Sequence, residues 1–267
     1  MNELFDVSNE IVIITGGSGQ LGIQYSKIFL ESGSSVACLD LRKNNSVSSL
    51  EKKYDNYVFF SCDLTDKKSI INASDQITDK FGKPTVLINN AALDSPPNTS
   101  NEDTGPFEFY PIKSWNNVME VNLTGVFDCC QIFGKIMAKN KKGSIINISS
   151  IYGIVSPDQS IYDYKRKKGD VFYKPVAYSV SKSGLINMTK YLAVYWAKLK
   201  VRVNCLVISG VENNQDLEFK KAYCKRIPIG RMANENEYNG VMIFLASKAS
   251  SYMTGSIITI DGGWTSI

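Results

Sequence analysis

Seven short runs rich in apolar and β-branched residues recur along the chain, at 11–15, 35–39, 57–61, 85–89, 144–149, 201–207 and 256–260. Between them lie longer stretches of helical periodicity, among them 21–32, 66–81, 114–139 and 176–199. Strands this apolar need cover on both faces, and strands joined through helices run parallel. The alternation therefore predicts an α/β fold with a doubly wound, seven-stranded parallel sheet and helices on both faces. With no internal repeat or linker, it reads as one domain over 1–267. In such sheets ligands sit outside the carboxyl ends of the strands, so residues just after a strand are the candidates for function.

Composition removes several classes of activity. The chain has no histidine, which excludes Ser-His-Asp and Cys-His nucleophiles and most zinc sites, and leaves proton transfer to Tyr, Lys, Asp or Glu. Its six cysteines show no C-x-x-C spacing and most lie in apolar runs, so no disulfide and no metal site is expected. A net charge of +4 without a long basic block argues against nucleic acid as a partner. No stretch reaches 18 apolar residues and residues 1–10 are acidic and polar, so we expect no membrane partner and a cytoplasmic location.

Within the 176–199 stretch, Tyr178 and Lys182 stand one helical turn apart. A free phenol has a pKa of about 10 and is a poor base at neutral pH. An ammonium about 4 Å away, in an effective dielectric near 20, contributes roughly 4 kcal/mol toward the phenolate. The pair is thus a candidate acid/base. After the first strand comes Thr15-Gly16-Gly17-Ser18-Gly19-Gln20-Leu21-Gly22, a glycine turn opening a helix and suited to a dinucleotide pyrophosphate. Asp40 ends the second strand, 18 residues beyond Gly22, where a carboxylate accepts from an adenosine ribose and repels a 2′-phosphate. That favours NAD over NADP, although Arg42 and Lys43 follow closely.

With Asp63-Leu64, Asn89-Asn90-Ala91-Ala92, Asn122, Ser149-Ser150 and Asp261-Gly262-Gly263, the chain resembles the short-chain dehydrogenase/reductase family nearly end to end. The resemblance implies a Rossmann fold and an oxidoreductase acting on CH–OH. It implies Tyr178 as general acid/base, with Lys182 lowering its pKa and holding the nicotinamide ribose. Ser150 would orient the carbonyl or alcohol oxygen, and Asn122 would kink its helix and position a water for proton relay. Cofactor contacts would come from Gly16, Ser18, Gly19, Gln20, Leu21, Gly22, Asp40, Asp63, Leu64, Asn90, Ala91, Ala92 and Val211, with Tyr178 and Lys182. Asp63 would lie by the adenine and Asn90 would face the groove.

The chain departs from that family pattern in three places. Gln20 stands where the turn carries Gly or Ala. Ile208-Ser209 replaces a Pro-Gly, which puts the rigidity of the following loop in doubt. Ser150 and Tyr178 are 28 residues apart, so an insertion over about 157–174 should cover the active site. It carries Tyr162, Tyr164, Tyr173 and the run Lys165-Arg166-Lys167-Lys168, which would suit a phosphate and a sugar ring or would otherwise be a solvated charged loop. A weaker likeness to members from bacterial surface-sugar and flagellin-modification pathways leads to the expected substrate, a phosphorylated or nucleotide-linked sugar. The alternatives are 3-oxoacyl-(acyl-carrier-protein) reduction and a catalytically idle NAD-binding sensor or scaffold. The 176–199 helix is apolar nearly all round, so a homo-oligomer, dimer or tetramer, is expected.

Overall fold

The computed structural model describes residues 3–94 and 103–267. Strands β1 (Ile11–Thr15), β2 (Ser35–Asp40), β3 (Tyr57–Ser61), β4 (Val86–Asn89), β5 (Gly143–Ser150), β6 (Val201–Ile208) and β7 (Ile257–Ile260) form one sheet in the order β3-β2-β1-β4-β5-β6-β7. Every pairing is parallel, and the order reverses between β1 and β4. The register sets Thr15 beside Leu39 and Asn89, Asp40 beside Ser61, and Ser150 beside Ile208. The residues singled out after strands thus share one edge of the sheet.

Helices α1 (Gln20–Glu31), α2 (Asn45–Lys53), α3 (Lys67–Phe81), α4 (Ile112–Met119), α5 (Gly125–Asn140), α6 (Asp163–Lys167), α7 (Val176–Trp196), α8 (Leu217–Cys224) and α9 (Asn239–Ala246) surround it. Tyr25 and Phe29 of α1, Val47 and Leu50 of α2 and Met242 of α9 pack into the core on one face. Ile70 and Ile77 of α3, Phe133 of α5 and Leu185 of α7 build the core on the other. Two apolar cores flanking apolar strands are what the strand composition requires.

The stretch 114–139 is not one helix. It begins at Ile112 in α4, widens into a π-helical turn at Glu120–Thr124 and resumes as α5. The helix packs closely there, since a Cβ on Gly125 would lie 2.9 Å from the Leu64 carbonyl oxygen, and the widened turn holds a fully buried Asn122 bonded to the loop after β4.

The insertion folds over the carboxyl edge as a short 3-10 turn, Gln159–Tyr162, followed by α6. Ile161, Tyr162 and Phe172 are buried in a third cluster with Tyr152, and with Phe219 and Tyr223 of α8. The Tyr162 ring centroid lies 4.8 Å from that of Phe172 and 5.8 Å from that of Phe219. The expected cover over the site is therefore a packed aromatic cap.

Candidate active site

The glycine turn joins β1 to α1 with its backbone drawn tight. Gly16 has φ of +62° and an added Cβ would meet the Ala91 backbone, while a Cβ on Gly22 would strike the Gly16 oxygen and the Gly17 Cα. Gly19 caps α1 without a side-chain hydrogen bond, so the helix presents bare N–H groups to the turn. Asn90 braces the turn, its Nδ2 donating to the Thr15 and Gly16 carbonyls at 3.1 Å each. The Asp40 carboxylate accepts from Ser18 N at 3.0 Å and Leu41 N at 2.7 Å. A cavity of about 520 Å³ gathers Gly16, Gly19, Gln20, Leu21, Asp40, Asp63, Leu64, Asn90, Ala91 and Ala92. Ser18 and Gly22 are not among its lining residues: Ser18 N holds the Asp40 carboxylate and Gly22 packs on the Gly16-Gly17 backbone, while Val211 lines a separate, adjoining cavity. A carboxylate at one end and bare helix N–H groups in the middle fit the ribose and pyrophosphate of a dinucleotide.

That adjoining cavity, about 240 Å³, holds Ser150 at the end of β5 and Tyr178 in the first turn of α7. Lys182, one turn further on, stands with Nζ 5.8 Å from the Tyr178 ring centroid and donates to the Ile148 carbonyl at 2.8 Å. Burial pulls its ammonium down to about 8. Burial, reinforced by the negative charge of Asp94, pushes the Tyr178 phenol well above its ordinary value, and its hydrogen bond with Ser150 opposes this only in part. The downward pull that the spacing suggested is not among the forces acting on this phenol: the Lys182 ammonium is engaged with the β5 backbone, and burial dominates. Asn122 exchanges two hydrogen bonds with the backbone of Leu93, at 2.7 and 2.9 Å, and donates to Ser181 Oγ at 3.2 Å. It stitches the loop after β4 to α7.

The family model described as enoyl-(acyl carrier protein) reductase matches residues 19–265. The chain belongs to the short-chain dehydrogenase/reductase family. The 3-oxoacyl-(acyl-carrier-protein) reductase of Thermotoga maritima is 31% identical, over 96% of this chain and 98% of its own. The D-threitol dehydrogenase of Mycolicibacterium smegmatis is 28% identical, over 98% and 95%. A short-chain dehydrogenase of Leptospira borgpetersenii solved with bound NAD+ is 33% identical, with a TM-score of 0.84, over 96% of this chain and 92% of that one. Like other members of the short-chain dehydrogenase/reductase family, the chain is an oxidoreductase acting on CH–OH with a nicotinamide nucleotide.

Its departures from the family pattern now have structural accounts. Gln20 swings across the groove, its Nε2 donating to the Glu212 carbonyl at 2.8 Å and to Glu235 at 3.3 Å. The Ile208-Ser209 loop is held by two phenols, with Gly210 N donating to the Tyr223 hydroxyl at 2.7 Å and Tyr238 donating to the Ser209 carbonyl at 3.4 Å. Three residues of the basic run tie the insertion together and to the start of α8: Lys165 faces Asp170 and Asp216, Arg166 pairs with Asp163 and donates to the Phe172 and Gln159 carbonyls, and Lys168 pairs with Glu218. Of the three insertion tyrosines, Tyr164 bonds Asp216, Tyr162 lines the inner cavity that holds Ser150 and Tyr178, and Tyr173 lines a further, outer cavity.

Sequence reasoning did not single out Asp94, Lys174, Tyr152 or Tyr223, all of which line the inner cavity. One signal was available: Lys174, Tyr178 and Lys182 are spaced four apart, so cations flank the tyrosine on both sides. Among the described residues no group of three His, Cys, Asp or Glu side chains is placed to hold a metal, and no helix is long and apolar enough to cross a membrane.

Proposed function

We propose that this protein interconverts a secondary alcohol and a ketone on a small polyhydroxylated substrate, with NAD(H) as its cofactor. The observation carrying the reading is the meeting of Ser150 and Tyr178 in one cavity, backed by Lys182 and opening beside a dinucleotide groove that ends at Asp40. A nicotinamide held there supplies or takes the hydride. Ser150 hydrogen-bonds the substrate oxygen, Tyr178 moves its proton, and the Lys182 ammonium stabilises the phenolate that forms. Asn122 fixes the loop after β4 against α7, keeping groove and cavity in register. Asp40 would meet a 2′-phosphate with like charge, and Lys43 beside it is tied to Glu51, which supports NAD over NADP.

The substrate class follows from what lines the inner cavity. Phenols of Tyr152, Tyr162 and Tyr223 and the hydroxyls of Ser150 and Ser209 suit a compound rich in hydroxyl groups. A phosphate or nucleotide diphosphate finds less support, since Lys165, Arg166 and Lys168 of the basic run are engaged with carboxylates and backbone. The similarity to a D-threitol dehydrogenase agrees in substrate type. An acyl substrate is the second reading, favoured by an outer cavity of about 650 Å³ lined by Phe107, Ile154, Val155 and Val180 and by the similarity to a 3-oxoacyl reductase.

Absorbance of the reduced nicotinamide, followed with NAD and then NADP on D-threitol and on acetoacetyl thioesters, tests this. We expect NAD-linked turnover of the polyol that Tyr178→Phe reduces by about a thousandfold, within the range for loss of a general acid/base. Turnover of the thioester alone selects the acyl reading, and nucleotide binding without turnover selects the idle scaffold.

A further inference from the structure

We infer that Lys174 and Asp94 are the substrate-selecting pair of this site, tuning it to an uncharged polyol and against the acid of the same carbon chain. This rests on the polyol reading proposed above. Lys174 closes the insertion just before α7 and is 6% exposed. Its ammonium pairs with Asp94 and stands 5.0 Å from the Tyr178 ring centroid. Tyr178 is therefore flanked by Lys182 from below and by Lys174 from the substrate side.

Both members of the pair are held in place from behind. The Lys174 backbone is fixed by Gln159, whose Oε1 accepts from Lys174 N at 2.9 Å and whose Nε2 donates to Lys174 O at 3.0 Å. Asp94 follows Leu93, the residue that Asn122 clamps on both sides of its peptide. Its carboxylate remains 46% exposed and lines both the dinucleotide groove and the inner cavity.

Lys174 and Asp94 are the formally charged residues lining the inner cavity among those described. Paired, they cancel. A hydroxyl next to the reacting carbon can accept from the ammonium and donate to the carboxylate, leaving neither without a partner. A carboxylate in the same place must displace Asp94 from Lys174 or lie against it with like charge, a contact that costs affinity even with Asp94 half open to water. Lys174 comes from the insertion that sets this chain's Ser150-to-Tyr178 spacing apart, so the selection belongs to this chain's own cap.

The test compares kcat/KM for D-threitol and D-threonate with NAD, in the native protein and in Asp94→Asn, Lys174→Met and Lys174→Arg. The native protein should prefer the polyol at least tenfold. Asp94→Asn keeps shape but removes the negative charge beside the ammonium, so the preference should fall at least tenfold through a lower KM for the acid. Lys174→Met removes the positive charge beside the carboxylate and should raise the preference while lowering kcat/KM for both, and Lys174→Arg should restore the native ratio. Removing the Asp94 charge also eases ionisation of Tyr178, but that acts on kcat for both substrates and leaves the ratio alone. A ratio unmoved by Asp94→Asn and Lys174→Met overturns the inference and leaves the polyol function standing. Absence of turnover of both compounds by the native protein overturns the polyol reading and this inference with it.

Discussion

Lys182 is 3% exposed, and burial brings its ammonium from an ordinary 10.5 down to about 8. Between those two values the unfolded chain binds a proton that the folded chain has released, so stability rises with pH across the window and the burial penalty is fully present below it. In urea unfolding, the native protein should gain up to about 3 kcal/mol on Lys182→Met between pH 8 and 10.5. A flat difference would mean that the ammonium is solvated. Asp40 offers a second check at this scale. Asp40→Ala should narrow the preference for NAD over NADP by at least tenfold, read from kcat/KM for the two nucleotides, because the fixed carboxylate at the end of β2 is then gone. Tyr178, Lys182, Ser150 and Asp40 were legible because each is fixed by its position after a strand or on a helix next to its partner. Asp94 was not, since only the path of the insertion brings Lys174 to it across 80 residues of sequence.

At the level of elements, the seven strands could be read from the chain because parallel strands covered on both faces need unbroken apolar runs. Helix α2 left a weaker signal, with Val47 and Leu50 its buried residues in an otherwise polar stretch. The π-helical turn left no propensity signal of its own, and only the resemblance, through Asn122, pointed to a kink there. The loop after β6 shows a substitution of tertiary for local control. Proline rigidity is absent from Ile208-Ser209, and the Tyr223 hydroxyl supplies an acceptor for Gly210 N instead. Tyr223→Phe keeps the ring in the cap and orphans that N–H, which should cost about 1–3 kcal/mol in urea unfolding. The loop carries Ser209, Gly210 and Val211 along the inner cavity, so KM should rise together with the loss of stability. Tyr238→Phe should do less, its contact being 3.4 Å.

On the scale of the whole molecule, α7 turns Leu185, Thr189, Ala193 and Trp196 inward, as a single buried face requires. Its other side is also apolar: Tyr191, Val194 and Tyr195 are 68%, 82% and 63% exposed, and Phe127 of α5 adds a further 49%. Tyr191 and Tyr195 stack with ring centroids 6.1 Å apart, presenting a flat aromatic surface next to the groove formed by Leu123, Phe127, Gly184 and Met188. A second copy of the chain, related by a two-fold axis, would bring the same surface against itself. Each Tyr or Val buried this way contributes roughly 1.5–3 kcal/mol before the cost of association. Sedimentation of the native protein at micromolar concentration should therefore show a dimer or tetramer. Val194→Glu, placed at the most exposed of these positions, buries an unpaired carboxylate in any such contact and should weaken assembly by a hundredfold or more, about 3 kcal/mol. Helix α7 also carries Tyr178 and Lys182, but on its inner turns and away from Val194. The dissociated variant should keep its cofactor affinity. A native monomer, or a Val194→Glu protein that assembles as tightly as the native one, would place the contact elsewhere on the molecule.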